Sequence, residues 1–128
     1  MIRLLCAKSR VAPLKRQTIP RLELCAAALG AQLASKIKID LQLTCPTWFW
    51  TDSEIVLAWI NSSSAAFNTF VANRIAIIQE VTQAEQWRHV SSKCKPADVL
   101  SRGISPTALK DCALWFCGPL FLHGKDTM

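Results

Sequence analysis

The sequence lacks any apolar run long enough to span a membrane, and residues 1–10 lack the apolar block and small-residue cleavage site of a secretory signal. It also lacks any Cys pair with C-x-x-C spacing. These absences argue against a membrane protein, a secreted protein and a thiol redox motif. We therefore expect an intracellular chain in a reducing compartment, cytoplasmic or nuclear, with no membrane partner.

Six cysteines are nevertheless present, and Cys6 and Cys25 lie in apolar stretches. This pattern favours buried free thiols over a disulfide framework. A zinc site is the alternative, although its ligand spacings fit no standard pairing. Its candidate ligands are Cys94, Cys112, Cys117 and His123.

Acidic residues are scarce, nine against fifteen basic ones, which gives a formal net charge of +6. A basic surface suits nucleic acid, because binding of Lys and Arg to phosphates releases counterions. A basic protein without a polyanionic partner is the alternative. Five basic residues cluster near the start and are the candidate nucleic-acid contacts: Lys8, Arg10, Lys15, Arg16 and Arg21.

A chain of 128 residues that is 51% apolar predicts one small domain with a real core. Apolar patterning, prolines and capping residues predict its elements. Strands are expected at 2–7, 48–52 and 86–90, and helices at 20–38, 54–60, 67–84 and 95–103. The apolar residues Trp115, Phe116 and Phe121 should wrap back onto the domain, which we place at 1–122, with a loose tail at 123–128.

Glu23 is the single charge between Leu22 and Ala34 on the first predicted helix. It shares helical spacing with the small residues Ala27, Gly30 and Ala34, so this stripe should lie close against a sheet. A carboxylate on a packing face must be paired, protonated or bound to metal. The alternative is a partly exposed Glu in the first helical turn, favoured by the helix dipole.

Asp52 falls at the carboxyl end of a predicted aromatic-rich strand, where ligand sites of open α/β sheets gather. Its local alternative is a cap or turn residue. Asp98 lies in the first turn of the short helix before Gly103, between Pro96 and the glycine that ends the helix.

Several blocks in register resemble the ribonuclease H region of BEL/Pao-type retrotransposon polyproteins, over roughly residues 2–122. They include the strings IPRLEL, WTDS, FVANR, WRHV and PADVLSRG, at 19–24, 50–53, 70–74, 87–90 and 96–103. The resemblance implies an α/β fold, a ribonuclease H-like mixed five-stranded sheet flanked by helices. It makes 2–7 the third strand, 48–52 the fourth and 87–90 the fifth.

The resemblance also implies a site in which four carboxylates hold two magnesium ions, and Glu23, Asp52 and Asp98 match three of them. Magnesium prefers oxygen ligands, and a pair of such ions can activate water and stabilise the leaving oxygen. The implied substrate is the RNA strand of an RNA–DNA hybrid, recognised through its 2′-hydroxyls and shape.

Two departures weaken the expected activity. The first two strands of the fold would be absent, and with them the fourth carboxylate. We therefore expect impaired metal binding and an unpaired sheet edge, which residues 2–7 would cover or which would promote self-association. Lys95 also stands where the family usually has Asn, bringing positive charge near the acids.

Three hypotheses follow for the function. The chain is a magnesium-dependent endonuclease by descent, impaired here; or an inactive nucleic-acid-binding remnant; or a protein interaction module with no nucleic-acid role.

Overall fold

Six α-helices and two short β-strands form the regular structure of residues 1–124, the part of the chain that a computed structural model describes. The helices are α1 Ile19–Asp40, α2 Glu54–Ile60, α3 Thr69–Val81, α4 Pro96–Arg102, α5 Pro106–Lys110 and α6 Ala113–Cys117. The strands are β1 Phe49–Thr51 and β2 Trp87–His89. The chain divides into two compact units: Lys8–His89 is one, and the other joins Met1–Ala7 to the chain from Val90 onward.

Helix α1 begins within one residue of the predicted start, and Pro20 is its second residue. Proline costs nothing there, because the first backbone N–H groups of a helix have no partner inside it. The far end carries Lys38 in the last turn and a Lys36–Asp40 ion pair, with 3.0 Å from Nζ to Oδ2. These cations complement the negative end of the helix dipole. The predicted first helix is confirmed.

The core of the Lys8–His89 unit lies between α1 and α3, with α2 alongside. From α1 it takes Leu24, Ala27, Ala28 and Ala31, which have the i, i+3, i+4, i+7 spacing of one helix face. From α3 it takes Val71, Ile75 and Ile78. Small residues on α1 let the two helices approach closely, so this interface is the main source of burial in the unit.

The predicted small-residue stripe on α1 was wrong in one respect. Gly30 is exposed, and a Cβ built on it would meet no atom within 4 Å. The buried face follows Leu24 and Ala31 instead and packs mainly on α3 rather than on the sheet. The reason is area: Leu24 and its alanine neighbours bury more apolar surface than a face centred on glycine.

Gly30→Ala should raise the free energy of unfolding by about 0.5–1 kcal/mol, because alanine loses less backbone entropy in a helix and has open space here. Urea denaturation followed by circular dichroism measures the change. Ala31→Leu is the control at the next position, whose side chain is 0% exposed. Overpacking there should lower stability by about 1–3 kcal/mol. A destabilised Gly30→Ala protein would contradict the described surface.

The two strands pair in parallel, with Phe49 opposite Trp87 and Thr51 opposite His89. The Phe49 and Trp87 rings stack, with centroids 4.7 Å apart. The buried indole Nε1 of Trp87 donates a hydrogen bond to Thr82 Oγ1 at 2.9 Å, so its polar group is satisfied. Both strands lie where the sequence predicts, but each has three residues. The fold is mixed helix and strand, compatible with the α/β class.

The predicted strand at residues 2–7 was wrong. No regular element forms there, and no third strand joins β1 and β2 within residues 1–124. In its own unit the segment lies beside α6, since the Leu4 N–H donates to the Phe116 carbonyl at 2.8 Å. Leu5 is 66% exposed. An apolar run becomes a strand only when a neighbouring strand supplies its hydrogen bonds, and here one helix carbonyl does so instead.

The unit that begins again at Val90 contains the predicted short helix as α4. Pro96 starts it and Gly103, with φ +84°, ends it, as the sequence indicates. Helices α5 and α6 were not predicted. His123 lies in a single 3₁₀ turn, Leu120–His123. The predicted domain at 1–122 stays a prediction, and residues 125–128 of the predicted tail lie outside the described residues.

The described helices include none that is both long and apolar enough to cross a membrane.

Candidate functional site

Asp52 directly follows β1 and lies between two buried hydroxyl side chains. Thr51 Oγ1 accepts a hydrogen bond from the Ser53 N–H at 3.2 Å. Ser53 Oγ in turn accepts from the Val56 N–H at 3.2 Å and so caps α2. The cap role that was the alternative for Asp52 therefore belongs to Ser53. Asp52 is half-buried at the carboxyl end of a parallel strand, where an acid suits ligand binding.

Glu23 is half-buried on α1 in the same unit. Because α1 begins at Ile19, Glu23 is beyond the first turn, which contains no acidic residue. Stabilisation by the helix dipole falls off within that turn, so the alternative explanation for Glu23 loses its basis. The residues described provide Glu23 with no hydrogen bond and no ion pair.

Asp98 lies in the other unit, in the first turn of α4. Its Oδ2 is 3.5 Å from Arg102 Nη2, an ion pair between residues one helical turn apart. The Asp98 side chain is 19% exposed, whereas that of Arg102 is 74% exposed. Lys95 is the N-cap residue of α4 and makes no side-chain capping bond.

A metal site needs several ligating side chains close together. Within residues 1–124, no three or more His, Cys, Asp or Glu side chains are grouped so that they could hold a metal ion. Glu23 and Asp52 lie in the Lys8–His89 unit and Asp98 lies in the other unit, and their role as a ligand set stays a prediction. This absence of a metal-holding group among residues 1–124 also applies to the four candidate zinc ligands. His123 Nε2 lies 2.8 Å from the Cys117 carbonyl oxygen, at hydrogen-bond distance.

The six cysteines are free, as the sequence predicts. Their predicted burial was wrong, since Cys6 and Cys45 are exposed and the others are half-buried. Cys6 is exposed because residues 2–7 form no buried strand.

The predicted basic residues lie at the start of the Lys8–His89 unit. Lys8, Arg10, Lys15 and Arg16 are all exposed, in an irregular segment before α1. Arg21 follows on α1, where its guanidinium carbon is 5.1 Å from the centroid of the Phe70 ring. Four of the five predicted basic residues are therefore exposed, and the fifth, Arg21, contacts the ring of Phe70 on α3.

Two arginines that the sequence reasoning missed also contact aromatic rings. The guanidinium carbon of Arg74 lies 3.7 Å from the Phe70 centroid, and that of Arg88 lies 4.9 Å from the Trp48 centroid. The i, i+4 spacing of Phe70 and Arg74 was a usable signal, because such residues are neighbours on a helix. Arg88 and Trp48 meet only through sheet pairing, which sequence spacing does not reveal.

Two shallow cavities, of about 230 and 300 Å³, lie near the C-terminal half of α1. Both are lined by Ser35, Ile39 and Val81, and Phe49 lines the first. Neither is lined by any of the three predicted acidic site residues, so the cavities give those residues no enclosed pocket.

Comparison with protein families finds a match at the start of the chain. Residues 1–53 match the family model described as Pao retrotransposon-like RNaseH-like domain. The match covers 53 of the 128 residues, includes the IPRLEL and WTDS blocks, and supports a retrotransposon-derived ribonuclease H-like domain. It includes Glu23 and Asp52, whereas Asp98 lies beyond it. No curated protein and no solved structure gives a significant match to the chain.

Proposed function

We propose that this chain is a ribonuclease H-like domain that binds RNA–DNA hybrid through the basic start of its Lys8–His89 unit. The observation that carries the proposal is the exposed run of cations at Lys8, Arg10, Lys15 and Arg16, inside the segment that matches the family. The ribonuclease H-like fold is part of the proposal. Its support is the parallel β1–β2 pair, flanked by helices, with Asp52 at the end of β1.

The distribution of charge supports this surface. Residues 1–22 contain six basic residues and no acidic one, so the formal charge of this segment, +6, is as large as that of the whole chain. A segment whose charges are all positive binds nucleic acid through its phosphates, because binding releases counterions, and this contribution does not depend on base sequence. Shape and 2′-hydroxyl contacts would then supply the preference for hybrid over DNA duplex.

Binding is tested with the full chain and a fluorescent RNA–DNA hybrid across a salt series. Four phosphate contacts should give a log–log slope of binding constant against salt of about −3.6. A variant with Lys8, Arg10, Lys15 and Arg16 all changed to Gln should lose most of that slope. The control changes Lys93 and Lys110, exposed basic residues of the other unit, to Gln and should keep it. No binding by the unaltered chain at low salt would refute the proposal.

Magnesium-dependent cleavage of the RNA strand is the second candidate function. Its support is that Glu23 and Asp52 lie in the family match and that local alternatives for both are weakened. The Asp98–Arg102 ion pair supports the expectation that any cleavage is impaired, because it occupies one of the three predicted metal-binding carboxylates.

Cleavage is tested in the same samples by adding magnesium and resolving the RNA strand. If the inherited activity persists, Asp52→Asn should abolish it while leaving hybrid binding unchanged. Asp40→Asn, at an exposed carboxylate paired with Lys36, is the matched control and should cleave like the unaltered chain. Absence of cleavage in all three proteins, with binding intact, would leave hybrid binding as the function.

Self-association through the sheet edge stays a prediction. Its support is that β1 has a strand partner on one side only within residues 1–124.

A further inference from the structure

Three side chains from two helices form a cluster with an unusual charge balance. Arg21 of α1 and Arg74 of α3 both lie on the Phe70 ring, 5.1 and 3.7 Å from its centroid. We call Arg21, Phe70 and Arg74 the Phe70 cluster. All three residues are half-buried and belong to the Lys8–His89 unit.

Two guanidinium groups on one ring repel each other, so the arrangement gains from an anion that neutralises both. Within residues 1–124, neither arginine has a carboxylate at ion-pair distance. One N–H of Arg74 donates to the Phe70 carbonyl at 3.1 Å. An arginine has five N–H donors in a planar fork, so most donors of the pair remain available to an oxygen-rich ligand.

The surrounding backbone adds to the positive potential. Arg21 is the third residue of α1 and Phe70 the second residue of α3, so these two helices begin beside each other. Neither first turn contains an acidic residue. The positive ends of two helix dipoles therefore face the same region as the two guanidinium groups, and no nearby acid of those turns offsets them.

We propose that the Phe70 cluster binds a backbone phosphate of the nucleic acid, a contact that lies beyond the exposed basic run before α1. This proposal rests on the function proposed above and adds Arg74 and Phe70 to it. Arg74 lies directly against the ring, so the role of Phe70 is to position the guanidinium groups rather than to stack on a base. The phosphate would accept hydrogen bonds from both arginines, a charge-assisted geometry that Lys does not reproduce.

The first test compares salt-dependent hybrid binding by the unaltered chain and by Arg21→Gln/Arg74→Gln. The double variant should bind about tenfold or more weakly near 0.1 M salt and have a slope shallower by about 0.9, the value for loss of one phosphate contact. Lys36→Gln/Lys38→Gln removes the same charge from the opposite end of α1 and should keep the slope. Phe70→Leu keeps both cations and should weaken binding with little change of slope. Equal slopes for the unaltered chain and the arginine variant would overturn the proposal.

A second test needs no variant and therefore holds even where substitution unfolds the chain. Phenylglyoxal modifies accessible arginines, and mass spectrometry gives the rate at each one with and without saturating hybrid. Hybrid should protect Arg21 and Arg74 roughly fivefold more than Arg88 and Arg102, because a phosphate held by charge-assisted hydrogen bonds covers the guanidinium nitrogens that the reagent attacks.

The outcomes separate this proposal from the function on which it rests. Hybrid binding without protection of Arg21 and Arg74 overturns the Phe70 cluster alone. Failure of the unaltered chain to bind hybrid overturns both. If poly-glutamate but not hybrid protects Arg21 and Arg74 from phenylglyoxal, the Phe70 cluster binds an acidic protein, and the phosphate proposal is overturned.

Discussion

Trp87→Ala should lower the free energy of unfolding by about 3–5 kcal/mol, one of the two largest effects expected for this chain. Trp87 is 7% exposed and joins three parts of its unit. It pairs with Phe49 in the sheet, stacks on the same ring and donates its indole N–H to Thr82. Truncation removes the stacked area and leaves the buried Thr82 hydroxyl without that donor.

Trp48→Ala is the matched control, because Trp48 is 53% exposed and contacts Arg88 at the surface. Its loss should cost about 1 kcal/mol or less. Guanidinium denaturation followed by far-ultraviolet circular dichroism measures both variants without relying on tryptophan fluorescence. Equal losses for the two variants would show that the β1–β2 contact does not stabilise the fold.

Ile75→Ala should lower the free energy of unfolding by about 2–5 kcal/mol. Ile75 is 0% exposed on α3 and belongs to the core cluster that includes Leu24 and Ala31 of α1. Removing its outer carbons loses buried apolar area and leaves a cavity between helices that cannot fully close. The same denaturation experiment measures the loss.

Ile39→Ala makes the identical chemical change on α1, where the side chain is 73% exposed. Its effect should stay within about 0.5 kcal/mol. A large loss at Ile39 with a small one at Ile75 would show that α1 buries a different face from the one described.

Helices α1 to α4 could be predicted because their signals are local. Proline at the start of α1, Ser53 before α2 and glycine after α4 act on backbone groups within about four residues of themselves. The third predicted helix, at 67–84, is shorter in the structure, because the Asn68 side chain accepts from the Val71 N–H and begins α3 at Thr69. A capping bond therefore sets that boundary, which apolar spacing alone placed too early.

The identity of the candidate site residues stays a prediction, whereas the structure describes their local surroundings. The order of sequence blocks selected Glu23 and Asp52, and the family match over residues 1–53 includes both. The hydrogen bond from the Val56 N–H to Ser53 Oγ, at 3.2 Å, shows that Ser53 rather than Asp52 caps α2. The ion pair of Asp98 with Arg102 joins residues at i, i+4 on a predicted helix, a usable signal that the sequence prediction did not use.

By itself, the sequence determined where α1 to α4 begin and end to within a few residues, the positions of the two short strands, the excess of positive charge and the family resemblance. Only the tertiary structure decided that residues 2–7 form no strand, that α1 packs on α3 through Leu24 and Ala31, and that Arg21 meets Phe70. The physical reason is range. Capping and helix periodicity act within one or two turns, whereas strand pairing and burial depend on which distant partner offers more area and hydrogen bonds.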